Sequence, residues 1–126
     1  MPRRGFIPAM PKVILIVDDE PLLRALVRDV LEDIGHAVKE AGTADEAIKL
    51  LEEGGIAAVL TDIEMPGPFN GLDLAWMVRA MWPTIPVVVT SGRQLPKKEE
   101  LPPHTPMLTK PFLPDRLIDV IGSAPS

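Results

Sequence analysis

Val13-Ile14-Leu15-Ile16-Val17 is an uninterrupted apolar run, mostly β-branched, with Lys12 before it and Asp18 after it. A strand with one wet face alternates apolar and polar residues, so this run predicts a strand buried on both faces. The pattern returns at Ala57 to Thr61 and at Pro86 to Thr90, more weakly at Ala37 to Ala41, and briefly at Met107 to Thr109.

The intervening segments read as helices. Asp18-Asp19-Glu20 offers acidic capping candidates ahead of Pro21, a residue suited to a first helical position. Leu22, Leu23, Leu26, Val27, Val30, Leu31 and Ile34 then recur at helical spacing, and Gly35 closes the helix. Thr43-Ala44-Asp45-Glu46 has capping-box spacing and opens a second helix that ends at Gly54-Gly55. A loop with Pro66, Gly67, Pro68 and Gly71 leads to a third helix from about Leu72, stopped before Pro83. Pro114 to Ile121 is a last helix, with Leu117, Ile118 and Ile121 on one face.

Strands alternating with helices predict βαβ crossovers and a doubly wound α/β fold, its parallel sheet covered on both sides. One stretch breaks the pattern. Between Arg93 and Pro106 a helix is due, yet Pro96, Pro102, Pro103 and Pro106 intervene. Proline removes an amide donor and restricts the residue before it, so no helix longer than about two turns is expected there.

The chain has 126 residues, of which 46% are apolar, enough for one domain with a sizeable core. Thirteen basic against 18 acidic residues give a net charge of −5, which disfavours direct nucleic-acid binding. The absence of cysteine excludes disulfides and thiolate metal sites. No apolar run reaches bilayer length, so membrane insertion is not expected. Residues 1–12 carry Pro2, Pro8 and Arg3-Arg4 without the apolar stretch of a signal peptide; they read as a frayed extension, and Met10 is an alternative start. A cytoplasmic location is the expectation in the absence of a recognisable targeting signal. His36 and His104 have no partner at metal-ligand spacing, and Trp76 and Trp82 read as packing residues.

In an open parallel sheet, function lies at the carboxyl ends of the strands. Those positions hold Asp18-Asp19, Asp62, Thr90-Ser91 and Lys110. If the strands are neighbours, three carboxylates, a hydroxyl and an ammonium converge. Carboxylates so close repel unless a cation joins them, and oxygen ligands favour a hard ion such as Mg²⁺. Lysine supplies a compact charge for phosphate oxygens and threonine a hydrogen bond. The set fits phosphoryl transfer, which depends on positioning and charge neutralisation. Read singly, Asp18 and Asp19 would be helix caps, Lys110 a surface lysine, and Ser91 an ordinary strand-end residue.

Five pieces together resemble the response-regulator receiver family: Val17-Asp18-Asp19-Glu20-Pro21, Thr61-Asp62-Ile63-Glu64-Met65-Pro66, Gly71-Leu72, Val89-Thr90-Ser91-Gly92 and Lys110-Pro111-Phe112. The resemblance implies a flavodoxin-like receiver fold of strand order 2-1-3-4-5 over residues 13–122, with 123–126 as a tail and the fourth helix shortened or missing. It makes Asp62 the phosphoacceptor, served by a histidine kinase or a histidine phosphotransfer protein. Asp19, Asp62 and the Glu64 carbonyl would ligate Mg²⁺ directly, and Asp18 through water. Thr90 would close onto the phosphate and Lys110 would contact it, the Lys110-Pro111 bond being cis in that family.

The resemblance further implies a non-enzymatic regulator that catalyses only its own phosphorylation and slow dephosphorylation. With no output domain expected, it would act on an unknown downstream protein, as a relay intermediate or as a phosphate sink. The chain departs from the family in a longer loop at Gly67-Pro68-Phe69-Asn70, in Met107 where an aromatic is frequent, and in the proline-rich stretch. A flavodoxin-like cofactor carrier would need a glycine- and hydroxyl-rich first loop, where Asp18-Asp19-Glu20 instead repels phosphate. The nearer alternative is a pseudo-receiver that signals without phosphate.

Overall fold

The computed structural model describes residues 11–92 and 95–123. Most of the expected N-terminal extension and of the tail lies outside them. Five parallel strands form one sheet: β1 (Val13–Val17), β2 (Ala37–Ala41), β3 (Ala58–Asp62), β4 (Val87–Ser91) and β5 (Met107–Thr109), in the order β2-β1-β3-β4-β5. Four α-helices alternate with them: α1 (Pro21–Asp33), α2 (Ala44–Glu53), α3 (Gly71–Met81) and α4 (Pro114–Ser123). The expected strand order and doubly wound architecture are both present.

Each central strand divides its side chains between two layers, as a period of two requires. Leu15, Val17, Val59, Val87 and Val89 enter a cluster with Ala47 and Leu51 of α2 and Leu74 and Val78 of α3. Ile14, Ile16, Ala58, Leu60 and Val88 enter the other, with Val27 and Leu31 of α1 and Leu117 and Ile121 of α4. Burial on both faces explains the unbroken apolar runs. The apolar stripe of α1 is wider than the sheet can cover, and Leu22 and Leu26 remain 76% and 57% exposed.

Local signals set the element ends. The Thr43 hydroxyl accepts the Glu46 N–H at 3.2 Å, as its spacing predicted. Glu20 is the N-cap of α1, without a side-chain capping bond. The start of α3 carries a reciprocal cap that the sequence reading passed over: Asp73 N–H donates to Asn70 Oδ1 at 3.0 Å, and Asn70 N–H to Asp73 Oδ2 at 2.9 Å.

Among the described residues between β4 and β5, the only helical element is a three-residue 3-10 turn, Lys98–Glu100. The expected absence of a long fourth helix holds for residues 95–106; residues 93 and 94 lie outside the description. This strap is fastened by Leu101, which packs against the core, and by α3. Trp76 Nε1 donates to the Glu100 carbonyl at 2.8 Å, and Arg79 Nη1 to that of Pro103 at 3.3 Å. Trp76 is therefore no core residue: it is 45% exposed and serves as a latch, whereas Trp82 packs against the core as expected. His36 is buried, and its Nδ1 accepts the Lys12 N–H at 3.1 Å, a structural role.

Candidate functional site

The sheet register brings four strand ends together. Asp62 pairs with Thr90 across β3 and β4, Ser91 with Thr109 across β4 and β5, and Val17 with Thr61 across β1 and β3. Asp18 and Lys110 follow directly on β1 and β5, so all of these groups share the carboxyl edge. Asp18, Asp62, Thr90 and Ser91 are buried.

Lys110 joins the carboxylates. Its Nζ lies 3.1 Å from Asp18 Oδ2 and 3.3 Å from Asp62 Oδ2. The remaining oxygens meet backbone amides: Glu20 N–H donates to Asp18 Oδ1 at 2.9 Å, and Glu64 N–H to Asp62 Oδ1 at 3.4 Å. Lys110 is itself held by its main-chain N–H on the Ser91 carbonyl at 2.8 Å, and the Lys110-Pro111 bond is cis. Thr90, Arg24 and Phe112 line the same cleft.

The electrostatics follow from this packing. Burial pushes the Asp62 carboxyl above the usual carboxylate range and Asp18 adds to the rise, against the opposing pull of Lys110 and the Glu64 amide. For Lys110, burial acts to lower the pKa, but the charges of Asp18 and Asp62 outweigh it and the ammonium is held above its ordinary value. Asp62 is thus a desolvated carboxylate with one oxygen on the Lys110 ammonium and the other on the Glu64 amide.

The carboxylate oxygens of Asp18, Asp19 and Glu20 lie within 4.8 Å of one another. This all-oxygen group has one buried member and two exposed ones, and fits a hard divalent cation that keeps part of its water shell, as Mg²⁺ does. Asp18 is common to this trio and to the Lys110 cluster, while Asp62 and the exposed Glu64 stand outside the trio. When bound, such a cation would relieve the mutual repulsion of these carboxylates.

Sequence reasoning missed Glu20 as a member of the acidic group and Arg24 as a wall of the cleft. It also left unexplained the glycine at position 71. A Cβ there would stand 1.8 Å from the Asp62 carbonyl oxygen, so α3 starts in contact with the backbone of Asp62 itself.

A doubly wound α/β domain of strand order β2-β1-β3-β4-β5, whose sheet edge gathers acids around one lysine, has the flavodoxin-like architecture. The family model of the response regulator receiver domain matches residues 14–122, and the chain belongs to that family. A response regulator receiver protein from Sinorhizobium medicae superimposes with a TM-score of 0.84 at 30% identity, over 91% of this chain and 94% of that one. NtrX from Brucella abortus gives 0.79 at 33% identity, over 91% of this chain and 27% of its own. The sensor histidine kinase RcsC of Salmonella typhimurium is 33% identical over 88 residues, 70% of this chain and 9% of the kinase. An NtrX-like protein of Rickettsia bellii is 35% identical over 80 residues, 63% of this chain. The matched region is 17% of that relative's length. Among the described residues, no helix is long and apolar enough to cross a membrane.

Proposed function

We propose that this receiver domain accepts a phosphoryl group on Asp62 from a phosphohistidine of a histidine kinase or histidine phosphotransfer protein, with Mg²⁺ bound at the acidic edge. The phosphorus–nitrogen bond of the donor breaks as a bond to an Asp62 carboxylate oxygen forms, and the leaving imidazole takes up a proton. Asp62 supplies the nucleophile. Lys110 and Thr90 receive the phosphoryl oxygens; Asp19, Asp62 and the Glu64 carbonyl would hold the cation directly, and Asp18 through a water.

The observation that carries this reading is Lys110 Nζ at 3.1 and 3.3 Å from two buried carboxylates at the carboxyl edge of the sheet. A core-stabilising role does not require three ionisable groups at one strand edge, whereas charge neutralisation of a transferred phosphoryl group does. The domain acts as a regulator rather than a turnover enzyme, in the cytoplasm, by binding a downstream protein, relaying phosphate or draining it. The partner's face is the one built on α1: exposed Leu26, with Leu23, Val30, Phe112 and Leu117, lines an apolar groove of about 610 Å³ that reaches Lys110.

The test is intact mass after incubation with a small phosphodonor such as phosphoramidate. The parent should gain one phosphoryl mass only when Mg²⁺ is present, and Asp62→Asn should gain none. An Asp62→Asn protein that still gains that mass refutes the acceptor assignment. A folded parent that never gains it makes the chain a pseudo-receiver.

A further inference from the structure

The geometry points to Arg24 as a positioning residue that sets the acidic pair Asp18-Asp19 for its cation, with Glu40 holding Arg24 in aim. This inference rests on the proposed Mg²⁺ role of that pair.

Asp18 is tied at every polar atom. Its main-chain N–H donates to the Ala41 carbonyl at 3.0 Å, and its carboxylate accepts from Glu20 N–H and Lys110 Nζ. The fourth tie is Arg24 Nη1, which donates to the Asp18 main-chain carbonyl at 2.5 Å. That carbonyl belongs to the peptide joining Asp18 to Asp19. A peptide is planar, so fixing its carbonyl direction fixes the plane from which the Asp19 side chain departs. Asp19 is exposed, and it has no hydrogen-bond or ion-pair partner among the described residues. Its placement therefore depends on the backbone beneath it.

Arg24 is aimed from the neighbouring strand. Its Nε donates to Glu40 Oε1 at 3.1 Å, while Arg28 Nη1 engages Oε2 of the same carboxylate. Glu40 lies in β2 opposite Ile16 of β1, so a rigid sheet holds the anchor. The planar guanidinium presents divergent donors in a fixed fork, and here the fork links β2 to the end of β1. A lysine offers one ammonium and cannot reproduce that bridge.

Simple charge and positioning predict opposite signs. Arg24 is a cation beside a cation site, so deleting its charge should by Coulomb's law tighten Mg²⁺ binding. If Arg24 acts by orienting the peptide, its deletion should weaken binding instead, by about tenfold, as loss of an outer partner of a metal ligand does.

Calorimetric titration of the unphosphorylated full chain with Mg²⁺ at fixed ionic strength separates the two. Arg24→Met should bind about tenfold more weakly. Arg24→Lys should also weaken binding although it keeps the charge. Glu40→Gln should weaken binding in the parent but add nothing in the Arg24→Met background, because it acts through Arg24. Unchanged or tighter binding by Arg24→Met overturns the inference, as does a lowered melting temperature with unaltered Mg²⁺ affinity. Should Arg24→Met not fold, parental affinity in both Arg24→Lys and Glu40→Gln overturns it equally. A parent that binds no Mg²⁺ sinks this inference together with the proposed metal role. A parent that binds while every variant matches it sinks the Arg24 inference alone.

Discussion

Gly71→Ala adds a single methyl group where the helix α3 meets the strand carrying Asp62. The new Cβ would lie 1.8 Å from the Asp62 carbonyl oxygen, 2.7 Å from its carbonyl carbon and 2.8 Å from Ile63 Cα. A comfortable carbon–oxygen contact is about 3.3 Å, so the first turn of α3 must retreat by about 1.5 Å. The obstacles are backbone atoms of a central strand, which cannot turn aside as a side chain would. Forced overpacking of this kind costs about 1–3 kcal/mol. The retreat also stretches the bond from Gly71 N–H to the Ile63 carbonyl, now 2.8 Å, which contributes about 1 kcal/mol. The expected loss is therefore about 2–4 kcal/mol, against a total of about 5–15 kcal/mol for an ordinary domain. Urea denaturation followed by circular dichroism measures it, and the melting temperature should fall by about 8–16 °C. Gly122→Ala is the control. It makes the same chemical change inside α4 with nothing within 4 Å, and should stabilise by about 0.5–1 kcal/mol. Because the strained atom belongs to Asp62, Gly71→Ala should also slow phosphoryl acceptance under conditions where it is folded. A Gly71→Ala protein within about 0.5 kcal/mol of the parent would refute the close-approach argument.

Two further outcomes test the packing around the site. Burial, reinforced by the charge of Lys12, lowers the His36 pKa, so the folded state takes up a proton less readily than the unfolded chain. Its contribution to stability is then complete above about pH 6.5 and declines as the pH falls below that value toward the lowered folded pKa. Protonation also spoils Nδ1 as the acceptor for Lys12 N–H. The urea midpoint should drop between pH 7 and pH 5 more in the parent than in His36→Asn; equal drops would remove His36 from the acid response. Trp76→Phe removes the donor to the Glu100 carbonyl and should loosen the strap alone. Trypsin should then cut after Lys97 or Lys98 about fivefold faster, with the global unfolding midpoint little changed. Cleavage at the parental rate would show that Leu101 and Arg79 hold the strap without the indole.

Much of this molecule was readable along the chain because the signals involved are local. A run such as Val13–Val17 excludes a strand with a wet face, whatever surrounds it. The threonine at 43 finds its amide three residues on, inside one helical turn. Pro102 and Pro103 prevent a helix by removing donors, and that loss needs no partner. Acids at strand ends could be anticipated to converge because parallel strands place their carboxyl ends on one edge.

The remainder depended on which strand lies beside which, and in what register. Lys110 meets Asp18 across 92 residues of sequence, and Arg24 meets Glu40 across 16. The indole of Trp76 read as a packing residue because helical periodicity does not reveal that the Glu100 carbonyl, 24 residues on, lies within reach of its N–H. Gly71 is required by an oxygen that belongs to another element, at a separation that depends on the seating of α3 against β3. Sequence alone determined the elements and the residue types at the sheet edge, since propensity, capping and periodicity act within a few residues. Only the tertiary structure decided which charges touch, because a one-residue slip in strand register would turn strand-borne side chains such as Glu40 and Asp62 to the opposite face.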